Sequence, residues 1–162
     1  MSTFERILVP VDFSECSDRA VELALDIART NDAQLILVHA VHIPPTYYAA
    51  ASEGFALPLM DEIESAEKAS LEELFERLKE KHPKVDRLLV RGNPWQKIIE
   101  MAAKRDADLI VMGTQGRTGL AHVFLGSVAE KVIRLSPVPV LTACLQGRRK
   151  STLAEKGAPA RA

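Results

Sequence analysis

The feature that most constrains this chain is an alternation between short runs of apolar residues and longer stretches with helical spacing. The short runs are Ile7-Leu-Val-Pro-Val11, Gln34-Leu-Ile-Leu-Val-His39, Val85 to Val90, Asp108-Leu-Ile-Val-Met112 and Val138-Pro-Val-Leu-Thr142. The first, second and fourth are nearly continuous in apolar residues. That pattern suits strands covered on both faces, as in parallel sheets, rather than strands with one wet face. Pro10 is expected at the end of its strand, where a missing N–H does least harm.

The stretches between them read as helices. Val21, Ala24, Leu25 and Ala28 share one face of a helix starting near Ser17, a plausible N-cap. Leu71, Leu74, Phe75 and Leu78 form the stripe of a helix expected over 61–81. Asn93-Pro-Trp-Gln96 has the form of a helix start, with Asn93 as cap, Pro94 in first position and Gln96 closing a capping box. Ile98, Ile99, Ala102 and Ala103 would then face inward, and a last helix is expected over 127–135. The order βαβαβαβαβ predicts an α/β fold, a doubly wound five-stranded parallel sheet with helices on both faces. With strand order 3-2-1-4-5, the order reverses between strands one and four, and ligands of such sheets lie beyond the carboxyl ends at that point. Asp12 ends the first strand and Gly113 the fourth, so residues with 100 others between them in the chain would meet there.

Composition narrows the reading without deciding it. The 162 residues are 47% hydrophobic and 27% charged with net charge −1, which suits one domain with a real core. That balance gives no support to a nucleic-acid or membrane surface, and no apolar run approaches the ~20 residues of a membrane span. Residues 1–145 are expected to form one domain. Residues 146–162, rich in Gly, Lys, Arg and Ala, are expected to be a disordered tail, with Arg148, Arg149 and Lys150 solvated. The segment 41–59 carries Pro44, Pro45, Gly54, Pro58 and the pair Tyr47-Tyr48, and reads as an irregular loop or lid. Cys16 and Cys144 lack CxxC spacing, and the N-terminus lacks a leader pattern, so a cytoplasmic protein with reduced thiols is expected.

The chemistry concentrates after the fourth strand, in Met112-Gly-Thr-Gln-Gly-Arg-Thr-Gly-Leu-Ala-His-Val-Phe-Leu-Gly-Ser-Val128. Glycine lets backbone N–H groups approach an anion closely. Gly126 and Ser127 open a helix whose first N–H groups are unpaired and whose dipole favours negative charge. The Ser127 hydroxyl is a further donor, and Arg117 could screen a phosphate. The alternative is that the glycines only make turns and caps. Asp12 likewise has an alternative role, an Asx turn at the strand-to-helix corner. A Walker P-loop is absent, as is a GxGxxG fingerprint after the first strand. His39 and His42 lack partners for a metal site, Cys16 reads as structural, and Trp95 and Phe124 read as packing residues.

The spacing Gly-x2-Gly-x9-Gly-Ser resembles the ATP-binding signature of the universal stress protein family. Ile7-Leu-Val-Pro-Val-Asp-Phe-Ser14, Leu37-Val-His39, Gly92-Asn-Pro94 and Ser136-Pro-Val-Pro-Val140 agree with it, so the resemblance spans about residues 4–144. It implies a Rossmann-like fold of the adenine nucleotide alpha hydrolase type. It implies Asp12 on the ribose or adenine side beside Pro10 and Val11, and main chain at Ala40 against adenine. It implies Gly113, Gly116, Gly126 and Ser127 around the phosphates, with Met112, Arg117 and Val128 adjacent. The family often has valine then an acid where this chain has Ala40-Val41-His42, a change that a main-chain contact survives. The implied ligand is ATP, ADP or AMP, with Mg²⁺ as a possible companion. The implied assembly is a homodimer through the edge strand Val138 to Thr142. The implied function is a nucleotide-dependent stress-response regulator. Two readings stand beside it: a slow Mg²⁺-dependent ATPase or nucleotidyl transferase using Asp12 to help hold the metal, and a dimeric adaptor with an empty site.

Overall fold

In the computed structural model the described residues are 4–42, 57–115 and 125–143. They form strands β1 (Arg6–Pro10), β2 (Gln34–Val41), β3 (Val85–Arg91), β4 (Leu109–Gly113) and β5 (Val140–Ala143). Between them run helices α1 (Glu15–Asn31), α2 (Leu57–Lys79), α3 (Pro94–Lys104) and α4 (Ser127–Leu135). The strands pair in parallel in the order β3-β2-β1-β4-β5. The expected α/β class, sheet order and doubly wound arrangement are therefore observed. Among the described residues, no helix is long and apolar enough to cross a membrane.

The continuous apolar runs are explained by two cores, one on each face. Ile7, Val9, Leu35, Leu37, Leu109 and Val111 point to the side covered by α1 and α2. Leu8, Ile36, Val38, Ile110 and Met112 point to the side covered by α3 and α4. Successive strand residues face opposite ways, so a strand with both faces covered needs apolar residues at every position. Full burial of such a side chain contributes about 1.5–3 kcal/mol relative to exposure. The centre of the sheet is therefore a firm platform for the loops at its carboxyl end.

Several boundaries and caps differ from expectation. The cap of α1 is Ser14, not Ser17: Ser14 is extended (φ −82°, ψ 161°) and its hydroxyl accepts the Ser17 N–H. α2 starts at Leu57, before the expected Asp61, with Pro58 in the first turn, where its missing N–H has no partner to lose. The first turn of α2 thus takes up the end of the expected loop, and residues 43–56 lie outside the described residues. Asn93 does precede α3 and Pro94 does occupy its first turn, but the Asn93 side chain makes no capping bond. The edge strand is Val140–Ala143, not Val138–Thr142. The Ser136 hydroxyl accepts the Val138 N–H and donates to the Val138 carbonyl, closing a turn, and Pro139 has no N–H. The expected tail, 146–162, lies outside the described residues.

Candidate functional site

The cleft opens where the sheet splits. β1 and β4 pair at Ile7↔Leu109 and Leu8↔Ile110, whereas β1 and β2 stay paired to Pro10↔Val38. The Val11 N–H donates to the Val38 carbonyl. Because N–H groups alternate in direction along a strand, position 10 would have donated toward β4, and proline has nothing to donate there. Pro10 thus stands at the point where the ladder to β4 has ended. A cavity of about 230 Å³ occupies the gap.

Nine of the eleven residues expected at the site line this cavity. Pro10, Val11 and Asp12 come from the end of β1, Ala40 from β2, and Met112 and Gly113 from β4. Gly126, Ser127 and Val128 come from the start of α4. The other two, Gly116 and Arg117, lie outside the described residues. Ser17, His39, Pro94 and Thr114, which were not expected as site residues, line the same cavity.

The corner after β1 is held by its own side chains. Asp12 Oδ1 accepts the Ser14 N–H at 3.0 Å and the Ser14 hydroxyl at 2.6 Å, an Asx turn. The Asp12 N–H donates to the Ser17 hydroxyl at 3.2 Å. Between them Phe13 has φ +63°, an uncommon conformation for a bulky residue. Its ring lies 4.7 Å from that of His39. The Asx role weighed for Asp12 is therefore present, at a position that also faces the cavity.

The two described glycines of the loop differ in what requires them. A Cβ on Gly113 would lie 2.9 Å from the Cys16 carbonyl carbon, so this position is glycine because α1 starts directly against β4. Gly126 has φ −70° and ψ 152°, which any residue can adopt, so its backbone does not call for glycine. Its N–H donates to the Thr114 carbonyl at 2.6 Å, pinning the two ends of the loop together. Lacking a side chain, Gly126 cannot cap α4. The N–H groups of Ser127, Val128 and Ala129 have no intrahelical partners, and all three residues line the cavity. Thr114 lines the same cavity, and its hydroxyl is buried with no hydrogen-bond partner among the described residues.

The arrangement suits a ligand with one apolar and one anionic end. Val38, Pro94, Ile98 and Met112 supply an apolar wall, and the start of α4 supplies backbone donors with a favourable dipole. The profile of the universal stress protein family matches residues 3–143. The chain belongs to that family. It is 34% identical over 138 residues to a universal stress protein of Methanocaldococcus jannaschii, covering 85% of this chain and 81% of that protein. Among solved structures it is similar to universal stress protein UspA from Lactobacillus plantarum, with 25% identity, TM-score 0.75 and coverage of 88% and 99% of the two chains. It is also similar to a universal stress protein solved in complex with cAMP, with 30% identity, TM-score 0.64 and coverage of 88% and 98%.

For a universal stress protein chain, the overlooked lining residues left signals of unequal strength. Ser17 sits four residues before Val21, a polar residue on an apolar stripe, and it is buried. Pro94 and Ile98 are four apart on the inner face of α3. Thr114 left no pattern.

Proposed function

We propose that this universal stress protein binds an adenine nucleotide in the β1–β4 cleft and works as a nucleotide-dependent regulator rather than a fast enzyme. The observation that carries this reading is the uncapped start of α4, with three backbone donors on the wall of a cavity at the sheet's reversal point. The related protein in complex with cAMP supports an adenine nucleotide as the ligand class. In this reading the phosphates lie at Ser127 and Val128 beside Gly126, the ribose lies near Asp12, and adenine lies against main chain at Ala40. Gly116 and Arg117 complete the phosphate side, as the resemblance implies.

ATP is the proposed ligand, with ADP and AMP as shorter relatives sharing the adenine and first phosphate contacts. We assign Mg²⁺ to the phosphates rather than to a fixed protein cage, since among the described residues no three His, Cys, Asp or Glu side chains converge. The regulatory reading rests on the state of the nearby acid and base. The Asp12 carboxylate already takes two hydrogen bonds from Ser14, and the His39 ring is turned to the Val11 carbonyl. Both are thus engaged with their own chain.

The test is direct. The purified protein is denatured, the precipitate removed, and the supernatant analysed for adenine nucleotide; the stripped, refolded protein is then titrated with ATP by calorimetry. We expect co-purified nucleotide or micromolar affinity, about −8 kcal/mol. No nucleotide in the supernatant together with no heat of binding would rule the reading out. We also propose a homodimer through β5, the edge of the sheet, where Leu141 is exposed and an apolar edge invites pairing. Light scattering that returns the mass of one chain would count against it.

A further inference from the structure

Thr114 lines the cavity just after β4, and neither the fold nor the contacts assigned above use its side chain. Its main chain is engaged on both sides. The N–H donates to the Ala143 carbonyl of β5 at 2.9 Å, and the carbonyl accepts the Gly126 N–H at 2.6 Å. The residue is 8% exposed, and its buried hydroxyl has no hydrogen-bond partner among the described residues. Other polar side chains on this wall are bonded within the chain. The Ser17 hydroxyl accepts the Asp12 N–H, Asp12 accepts from Ser14, and His39 meets the Val11 carbonyl. A buried hydroxyl nearly always has a partner, because leaving one unpaired costs free energy. Valine has almost the same shape, suits the end of a strand equally well and carries no such cost. Packing alone would therefore favour valine at this position.

We propose that Thr114 is a further binding residue of the cleft, whose hydroxyl donates to an oxygen of the phosphate nearest the ribose; this rests on the nucleotide reading proposed above. Its place in the fold selects that end of the ligand. The bond to Gly126 sets Thr114 against the start of α4, where the Ser127 and Val128 N–H groups are assigned to phosphate. On its other side the chain approaches the β1 corner, with the Gln115 carbonyl 3.5 Å from the Ser14 hydroxyl. Thr114 thus lies between the corner assigned to ribose and the helix assigned to phosphate. A phosphate oxygen only accepts, a hydroxyl can donate, and a hydrogen bond to a charged oxygen is stronger than one between neutral groups. The two main-chain bonds hold Cβ in place. Reaching the ligand then takes one turn about χ1 between staggered positions, with little ordering left to lose. The ligand supplies the partner that the chain does not.

The experiment compares wild type, Thr114→Val and Thr114→Ser, each stripped of nucleotide. Thermal unfolding without ligand comes first. We expect Thr114→Val to keep its melting temperature or to gain up to about 4 °C. A fall would mean that the hydroxyl serves the fold, and it overturns the proposal. Calorimetry with AMP and with adenosine comes second. We expect AMP affinity to drop about tenfold in Thr114→Val and to stay within about threefold of wild type in Thr114→Ser. Adenosine, which has no phosphate, should bind wild type and Thr114→Val alike. Equal AMP affinity in wild type and Thr114→Val overturns the proposal and leaves the nucleotide reading standing. So does a Thr114→Ser protein as weak as Thr114→Val, since its hydroxyl is restored. Equal losses of AMP and adenosine would put the hydroxyl on the sugar or base and overturn the phosphate contact. A wild type that binds neither compound refutes the nucleotide reading, and this role with it.

Discussion

Two helices begin on the same cleft and are finished in opposite ways. At α1 the first turn is closed: the Ser14 hydroxyl accepts the Ser17 N–H, Asp12 accepts twice from Ser14, and Glu15 and Asp18 face the positive end of the helix. At α4 the cap position is Gly126, with no side chain to offer. The one acid of that first turn, Glu130, is exposed and lies 3.6 Å from Arg134. Both helix starts have favourable dipoles, but only α1 has a cap side chain that takes one of its first-turn donors. A helix that needs nothing but stability is capped by its own chain. One that leaves N–H groups open toward a cavity behind a glycine cap gives up roughly a few tenths of a kcal/mol of capping, and an anionic ligand is the natural partner that restores it.

The strongest way to break this contrast is to cap the open helix. Gly126→Asp places a carboxylate where we assign phosphate. Nucleotide affinity should fall about 100-fold, roughly 2.7 kcal/mol, while stability holds or rises by a few tenths. Unchanged affinity in a folded variant would show that α4 is not the anion site. Gly113→Ala probes the other glycine. Its added methyl meets the backbone of α1, so the stability measured by urea unfolding should drop by about 1–3 kcal/mol. A neutral result would mean that the contact with Cys16 relaxes easily and that glycine is there for another reason. Ser14→Ala removes the cap at the closed corner and should cost about 1 kcal/mol of stability. Its effect on affinity should be smaller than that of Gly126→Asp. The reverse ranking would shift the binding determinant to the β1 corner.

The fold was legible because its strongest requirement acts at every strand position: strands covered on both faces must be apolar throughout, as in Ile7–Val9 and Ile110–Met112. Element ends were less legible, since they turn on single hydrogen bonds. Ser14 rather than Ser17 caps α1 because Asp12 holds Ser14 in place. β5 starts late because Ser136 bonds to Val138 and Pro139 has no N–H. In the site, the topology alone brings Asp12 and Gly113 to one cavity. What the sequence hid was the reason for each glycine. Gly113 and Gly126 look alike in the motif, yet one makes room for a helix and the other leaves a helix uncapped.

The most direct measurement is an amide NMR titration of nucleotide-stripped protein with AMP. The account predicts that the N–H signals of Ser127, Val128 and Ala129 shift most, while those of Ser17 and Asp18, both bonded to Ser14 in the capped turn of α1, move little. Saturable binding that leaves the three α4 signals in place would contradict it.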